Sequence, residues 1–283
     1  MKKSAFIPII FMALIFASCD KVDYPAESVN TDKDSTSGNT YIRKVLLEDY
    51  TGHKCGNCPA AAIVAENLYE QYKGKVITIA VHAGFFAKTS STHPTSYTTT
   101  AGNDWDGSTG FAVSAVGNPN GMVNRKNYAG NGLIQKETKW PTTVALAIND
   151  TYILGLSIKP NYNESTRMLS TDVTAKFKTS YPNNVKLSLI IIEDSIIGPQ
   201  TDYSKNPDYI PNYVFMHMLR ESINGSWGTD LKTTPIAAKD SVKLSFNNFA
   251  IKNLFNDKRL YLVAFAYDAT NKEILQVEKV KMK

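Results

Sequence analysis

Three cysteines and four histidines in 283 residues are too few for a disulfide-stapled scaffold or a multi-ligand zinc framework. Charge of one sign is scarce as well. With 31 basic against 26 acidic residues, no net field is expected that would hold nucleic acid or an anionic membrane surface. The sequence contains no phosphate-binding glycine loop, no dinucleotide fingerprint, no nucleophile-elbow serine and no helix-borne histidine pair for zinc. Among enzymes this leaves redox chemistry, and no cofactor or metal is expected.

Long apolar runs are also lacking, apart from residues 5–16, which follow the positive Met1, Lys2 and Lys3. A run that short reads as a secretion signal and not as a membrane span. Phe16, Ala17 and Ser18 end it directly before Cys19, a pattern similar to a bacterial lipobox, so residues 1–19 are expected to be a lipoprotein signal with Cys19 acylated as the first mature residue. An ordinary cleaved signal with an unmodified Cys19 is the alternative. Losing Lys2 and Lys3 leaves 29 basic against 26 acidic residues, a balance of +3. Residues 20–40 lack apolar periodicity and read as a flexible tether, spanning on the order of 25 Å as a coil. The membrane is then a partner through the lipid anchor only.

From residue 41 the texture becomes that of a folded α/β region reaching residue 149. Val45, Leu46 and Leu47 open a strand, a loop delivers Cys55, and Pro59 suits the first turn of a helix. Ala61, Val64, Ala65, Leu68 and Tyr72 recur at helical spacing. Residues 75–82 are nearly continuous β-formers, as in a buried parallel strand. Strand, helix and parallel strand make a βαβ unit whose chemistry belongs where Cys55 sits, at the helix N-terminus.

A thiolate there is stabilised by unpaired backbone N–H groups, and Lys54 or a protonated His53 would lower its pKa further. Cys55 is therefore expected to be the exposed attacking thiol, and Cys58, one turn on, the resolving one. Two residues between cysteines also make a zinc half-site, but no second pair exists. A purely structural disulfide is the third reading, though so short a loop adds little stability by loop closure.

Asp49, followed six residues later by Cys55 and then Gly56, Asn57 and Cys58, resembles the strand and active-site segment of thioredoxin-like proteins. The resemblance implies a buried proton-transfer role for Asp49. Val116, Gly117, Asn118 and Pro119 before residues 122–124 resemble the cis-proline loop that faces the cysteine pair in that fold, which makes Pro119 a substrate clamp and places Asn118, His53 and Lys54 near substrate. Lys54 stands where a tryptophan is usual, and Gly56 and Asn57 replace Gly-Pro.

A second resemblance covers most of the mature chain. Residues 47–52 before the cysteine motif, Val81 to Gly84, Asn124 with Arg125, Met218 to Arg220, and Ile223 to Gly228 are similar to exported lipoproteins related to outer membrane protein twenty-eight of Gram-negative bacteria. That likeness implies an outer-membrane lipoprotein facing the periplasm or the cell surface.

Residues 85–116 exceed what a compact domain of this kind needs and read as an insertion beside the site. Phe85, Phe86 and Trp105 either line a groove or form a satellite core. His82 is expected as a hydrogen-bonded core residue and His93 as a solvated one. Residues 136–149 read as a helix. Residues 150–283 alternate strand-like runs with turn signals, among them 159–163, and predict an immunoglobulin-like β-sandwich. Residues 194–240 read as a long connection that either folds over the redox face or contains another strand or short helix around residues 214–223, with His217 and Arg220 in solvent.

Two functions follow. One is a membrane-anchored thiol–disulfide oxidoreductase whose partners are thiols or disulfides of exported proteins. The other is a non-enzymatic lipoprotein that binds a partner through its sandwich and loops, the cysteines forming a structural disulfide. A copper or zinc carrier using the cysteines and a histidine is a third.

Overall fold

The structure is a computed structural model and describes residues 41–283. The signal, Cys19 and the tether expected for residues 1–40 lie outside the described residues. Strands β1 (Val45–Thr51) and β2 (Val76–His82) are parallel and in register from Val45 opposite Val76 to Thr51 opposite His82. Helix α1 (Cys58–Gln71) joins them, with Pro59 in its first turn. Ala61, Ala65 and Leu68 form its buried stripe and pack with Val45, Leu47 and Val76, which explains why β1 is buried along its whole length.

Helix α2 (Thr100–Asp106) follows in the expected insertion, capped by the Thr99 hydroxyl accepting from the Gly102 N–H at 2.9 Å. Strand β3 (Asn120–Val123) runs antiparallel to β1, and helix α3 (Trp140–Ala147) closes this part. The rest is β-structure: β4 (Leu154–Asn163), β5 (Met168–Phe177), β6 (Val185–Glu193), β7 (Ile196–Thr201), β8 (Tyr209–Phe215), β9 (Met218–Ser222), β10 (Thr229–Lys232), β11 (Ser241–Ala250), β12 (Leu260–Asp268) and β13 (Ile274–Lys281). The described residues are thus mostly β, with few helices and a mixed parallel and antiparallel sheet.

That sheet has eight strands, ordered β13, β12, β6, β9, β2, β1, β3, with β10 also paired to β6. It continues across the expected boundary at residue 149. Its junction is narrow: Ala80 of β2 pairs with Met218 of β9, and the Ala80 N–H donates to the His217 carbonyl at 2.8 Å. One face carries a core shared by both halves, in which Tyr50, Ile79 and Trp105 join Ile190, Phe265 and Val277. On the other face α1 and α3 cover β1, whereas the separate sheet of β4, β5 and β11 covers β6 and β12. The layered packing expected of residues 150–283 is present, but one of its layers belongs to the eight-stranded sheet.

One local expectation is corrected. Residues 159–163, with Pro160, continue β4 instead of turning, because β4 is an edge strand and spares the proline N–H. The connection at 194–240 contains β7 to β10, and β9 lies inside the 214–223 stretch expected to supply a strand or short helix.

Candidate functional site around Cys55 and Cys58

The site lies at the carboxyl end of β1. After Thr51 the chain turns through Gly52, where a Cβ would come within 2.4 Å of the Phe86 backbone carbon, so only glycine lets the loop lie against the 3-10 turn Phe85–Ala87. The Lys54 N–H donates to the Phe86 carbonyl at 3.1 Å, and the Cys55 N–H to Gly52 at 2.9 Å. Cys55 is disulfide-bonded to Cys58, the first residue of α1, whose N–H donates to the Cys55 carbonyl at 3.2 Å.

The other flank of this loop is taken by the β7–β8 hairpin. The Thr201 N–H donates to the His53 carbonyl and the Tyr203 N–H to the Gly56 carbonyl, both at 2.9 Å. The Gln200 side-chain amide donates to the Cys55 carbonyl at 3.0 Å. A Cβ on Gly56 would lie 2.4 Å from the Tyr203 ring, so that ring rests directly on the glycine. Cys55 and Cys58 are each 2 % exposed, which corrects the expectation of an exposed Cys55: the loop is clamped on both flanks. Both readings of the 194–240 connection are met in part: residues 200–203 cover the cysteine loop, and β9 supplies the strand. His217 and Arg220 are not in solvent. His217, just before β9, is buried and Arg220, within β9, is half-buried.

Asp49 lies opposite Gly121 of β3 and is fully buried, with Oδ1 unpartnered. Burial, with repulsion from Glu137 added, pushes its carboxyl up to about 8. Asn118 and Pro119 reach the same end of β1. The Asn118 side-chain amide donates to the Tyr50 carbonyl at 2.8 Å, and the Asn118–Pro119 peptide is cis. Lys54 extends over the exposed Phe85 ring, 5.1 Å from its centroid. Trp105, by contrast, is wholly buried in the shared core and lines no groove.

His53 is buried, and desolvation lowers its pKa, so it does not supply the positive charge expected beside Cys55. Its Nε2 pairs with the Lys88 carbonyl at 3.1 Å. His93, expected in solvent, is buried and stacks on His53 with centroids 5.1 Å apart. His82 is in the core as expected, but neither ring nitrogen has a partner, and desolvation takes its pKa down to about 3. These rings, with Tyr97 and Phe215, pack the root of the hairpin. Among the described residues no group of three His, Cys, Asp or Glu side chains is placed to hold a metal ion, and no helix is long and apolar enough to cross a membrane. Sequence reasoning missed the role of His93 and Tyr97, which carry no local signal because their packing partners come from β2 and β8.

A family model described as outer membrane protein Omp28 matches residues 111–283. The chain belongs to the Omp28 family. The matched part contains Pro119 and the β7–β8 hairpin, while Cys55 and Cys58 precede it. Family membership places the protein at the outer membrane. Among solved structures, HBP35 of Porphyromonas gingivalis is similar at 19% identity with a TM-score of 0.62, over 87% of this chain and 77% of that one, a likeness of fold alone. A domain of the outer membrane lipoprotein Omp28 from the same organism aligns at 16% identity with a TM-score of 0.31, over 47% of this chain and 91% of that one. No curated protein matches the chain.

Proposed function

We propose that this outer-membrane protein is a thiol–disulfide oxidoreductase of thioredoxin-like design, anchored through Cys19 and acting on exported proteins. The observation that carries the reading is the placement of the Cys55–Cys58 disulfide across the start of α1, at the end of β1 that also holds Asp49 and receives the Asn118 side chain. Unpaired N–H groups of the first helical turn stabilise a thiolate formed there.

For the oxidised pair, a substrate thiolate attacks Cys55 Sγ. The Cys55–Cys58 bond breaks and Cys58 leaves as a thiolate, which takes a proton from Asp49, a carboxyl still protonated at neutral pH. A second substrate thiolate then attacks the substrate sulfur of the mixed disulfide, and Cys55 leaves as a thiolate. The substrate dithiol loses two electrons and becomes a disulfide; the cysteine pair gains them. In reverse, the dithiol form reduces a substrate disulfide, Cys55 attacking and Cys58 resolving.

Cys58→Ser, once reduced, should accumulate mixed disulfides with exported proteins, because the resolving thiol is gone, whereas Cys55→Ser should trap few. Equal and negligible trapping by both variants refutes the oxidoreductase reading.

The 2 % exposure of each cysteine favours a second reading, a partner-binding protein with a structural disulfide. A Cys55–Cys58 pair that glutathione does not reduce supports it, since structural disulfides lie well below the glutathione potential.

A further inference from the structure

We propose that the groove along residues 53–56, now filled by residues 200–203, is the docking site for a short segment of an exported polypeptide, and that the hairpin holds the groove by imitating such a segment. The proposal rests on the oxidoreductase reading and names the substrate class for that site.

The loop presents three carbonyls, at His53, Cys55 and Gly56, and the hairpin donates an N–H to each. Two donors, at Thr201 and Tyr203, are main-chain groups two residues apart, one at the last residue of β7 and one in the turn that follows, a spacing that another polypeptide in the same conformation reproduces. Side-chain selection is confined to one position, the aromatic ring lying on Gly56, where any Cβ would collide with it. On the opposite flank of the loop the exposed Phe85 and the Lys54 ammonium offer an apolar and cationic surface.

The occupant is built to leave. Strands β7 and β8 pair only with each other and do not join the eight-stranded sheet, and a lone two-stranded hairpin is marginally stable. Its root is packed against Tyr97, His82 and Met218, while residues 203–209 at its tip are exposed. Tyr203 is 64% exposed although its ring lies against Gly56 of the disulfide loop. Removing residues 200–203 opens Cys55 and frees the His53 and Gly56 carbonyls together, while the Cys55 carbonyl keeps only the Cys58 N–H, so a segment that takes their place arrives where its own cysteine can reach Cys55.

The test uses a fluorescent six-residue peptide with the sequence of residues 199–204, and its counterpart with alanine at the tyrosine. The protein is the full chain carrying Tyr203→Ala with Cys55→Ser and Cys58→Ser, so that binding is independent of redox chemistry. The tyrosine peptide is expected to bind at least tenfold more tightly than the alanine peptide. A second measurement needs no variant: at saturating tyrosine peptide, reduction of the wild-type Cys55–Cys58 disulfide by dithiothreitol should accelerate at least fivefold. Equal binding of the two peptides, or an unchanged reduction rate, overturns the proposal. Selective peptide binding with no trapping by Cys58→Ser would preserve the groove and remove the oxidoreductase reading, and trapping with no peptide selectivity would do the opposite.

Discussion

Arg125 and Glu48 form a two-point ion pair inside the protein, Nε to Oε2 at 2.8 Å and Nη2 to Oε1 at 2.7 Å, with side chains 1% and 0% exposed. The guanidinium also lies 5.0 Å from Trp105, 4.9 Å from Phe111 and 5.1 Å from Phe265. It therefore ties β1, which carries the site, to the insertion and to β12. Two full charges out of water are costly unless both stay paired.

Arg125→Met should destabilise the protein by about 3–5 kcal/mol, because it strands the Glu48 carboxylate in the core. Arg125→Met with Glu48→Leu should recover most of that loss, since no charge is then buried. Urea unfolding of the wild type, both single variants and the pair checks this, and a strictly additive cycle would contradict it.

Asp49 gives stability a definite pH dependence. Its folded pKa, raised from 3.8 to about 8, means that the folded state holds a proton the unfolded state releases between those values. Stability is complete below about pH 4 and is lost as pH rises through 8, each unit costing about 1.4 kcal/mol at most. Asp49→Asn should flatten this contribution and be the more stable protein at pH 8. Chemical denaturation at pH 5 and pH 8 reads the difference.

His217 joins Glu66 of α1 at 3.0 Å to Asp194 at 3.1 Å. Burial opposes its protonation, but the two carboxylates outweigh burial and raise its pKa. Its contribution is present below the unfolded value near 6.5 and lost as pH rises through the folded one. His217→Gln should be less stable than wild type at pH 6, with a gap that narrows towards pH 9 in thermal melts.

The cysteine loop is too short to staple the fold. Closing a loop of four residues should contribute about 2 kcal/mol in the chain-entropy picture, so the described region should remain folded when Cys55 and Cys58 are both serine. Circular dichroism with a cooperative melt is the expected result, and collapse of the fold would show that the disulfide is structural.

Much of the chain is legible as local pattern. Strands β5, β6 and β12 follow the apolar runs at 168–177, 185–193 and 260–268, because strand alternation and burial are written residue by residue. The strand, helix, strand order around Cys55, the proline in the first turn of α1 and the peptide geometry at Pro119 are equally local. Asp49 entered through the resemblance to thioredoxin-like proteins.

What hides Cys55 was not legible in that way. The reading of residues 194–240 left cover and solvent equally open, because the Gln200 amide meets the Cys55 carbonyl across 145 positions of sequence, and neither residue carries a mark of the other. The same holds for the three histidine rings under the hairpin, for His217 between Glu66 and Asp194, and for one sheet running across residue 149 through the single pair of Ala80 with Met218. The sequence by itself determined which segments become strands and helices and which residues have redox-capable chemistry, since period and residue type are properties of a few neighbours. Only the tertiary structure decided the exposure, charge and partners of those residues, because desolvation and hydrogen bonding depend on chain segments that folding brings together from distant positions.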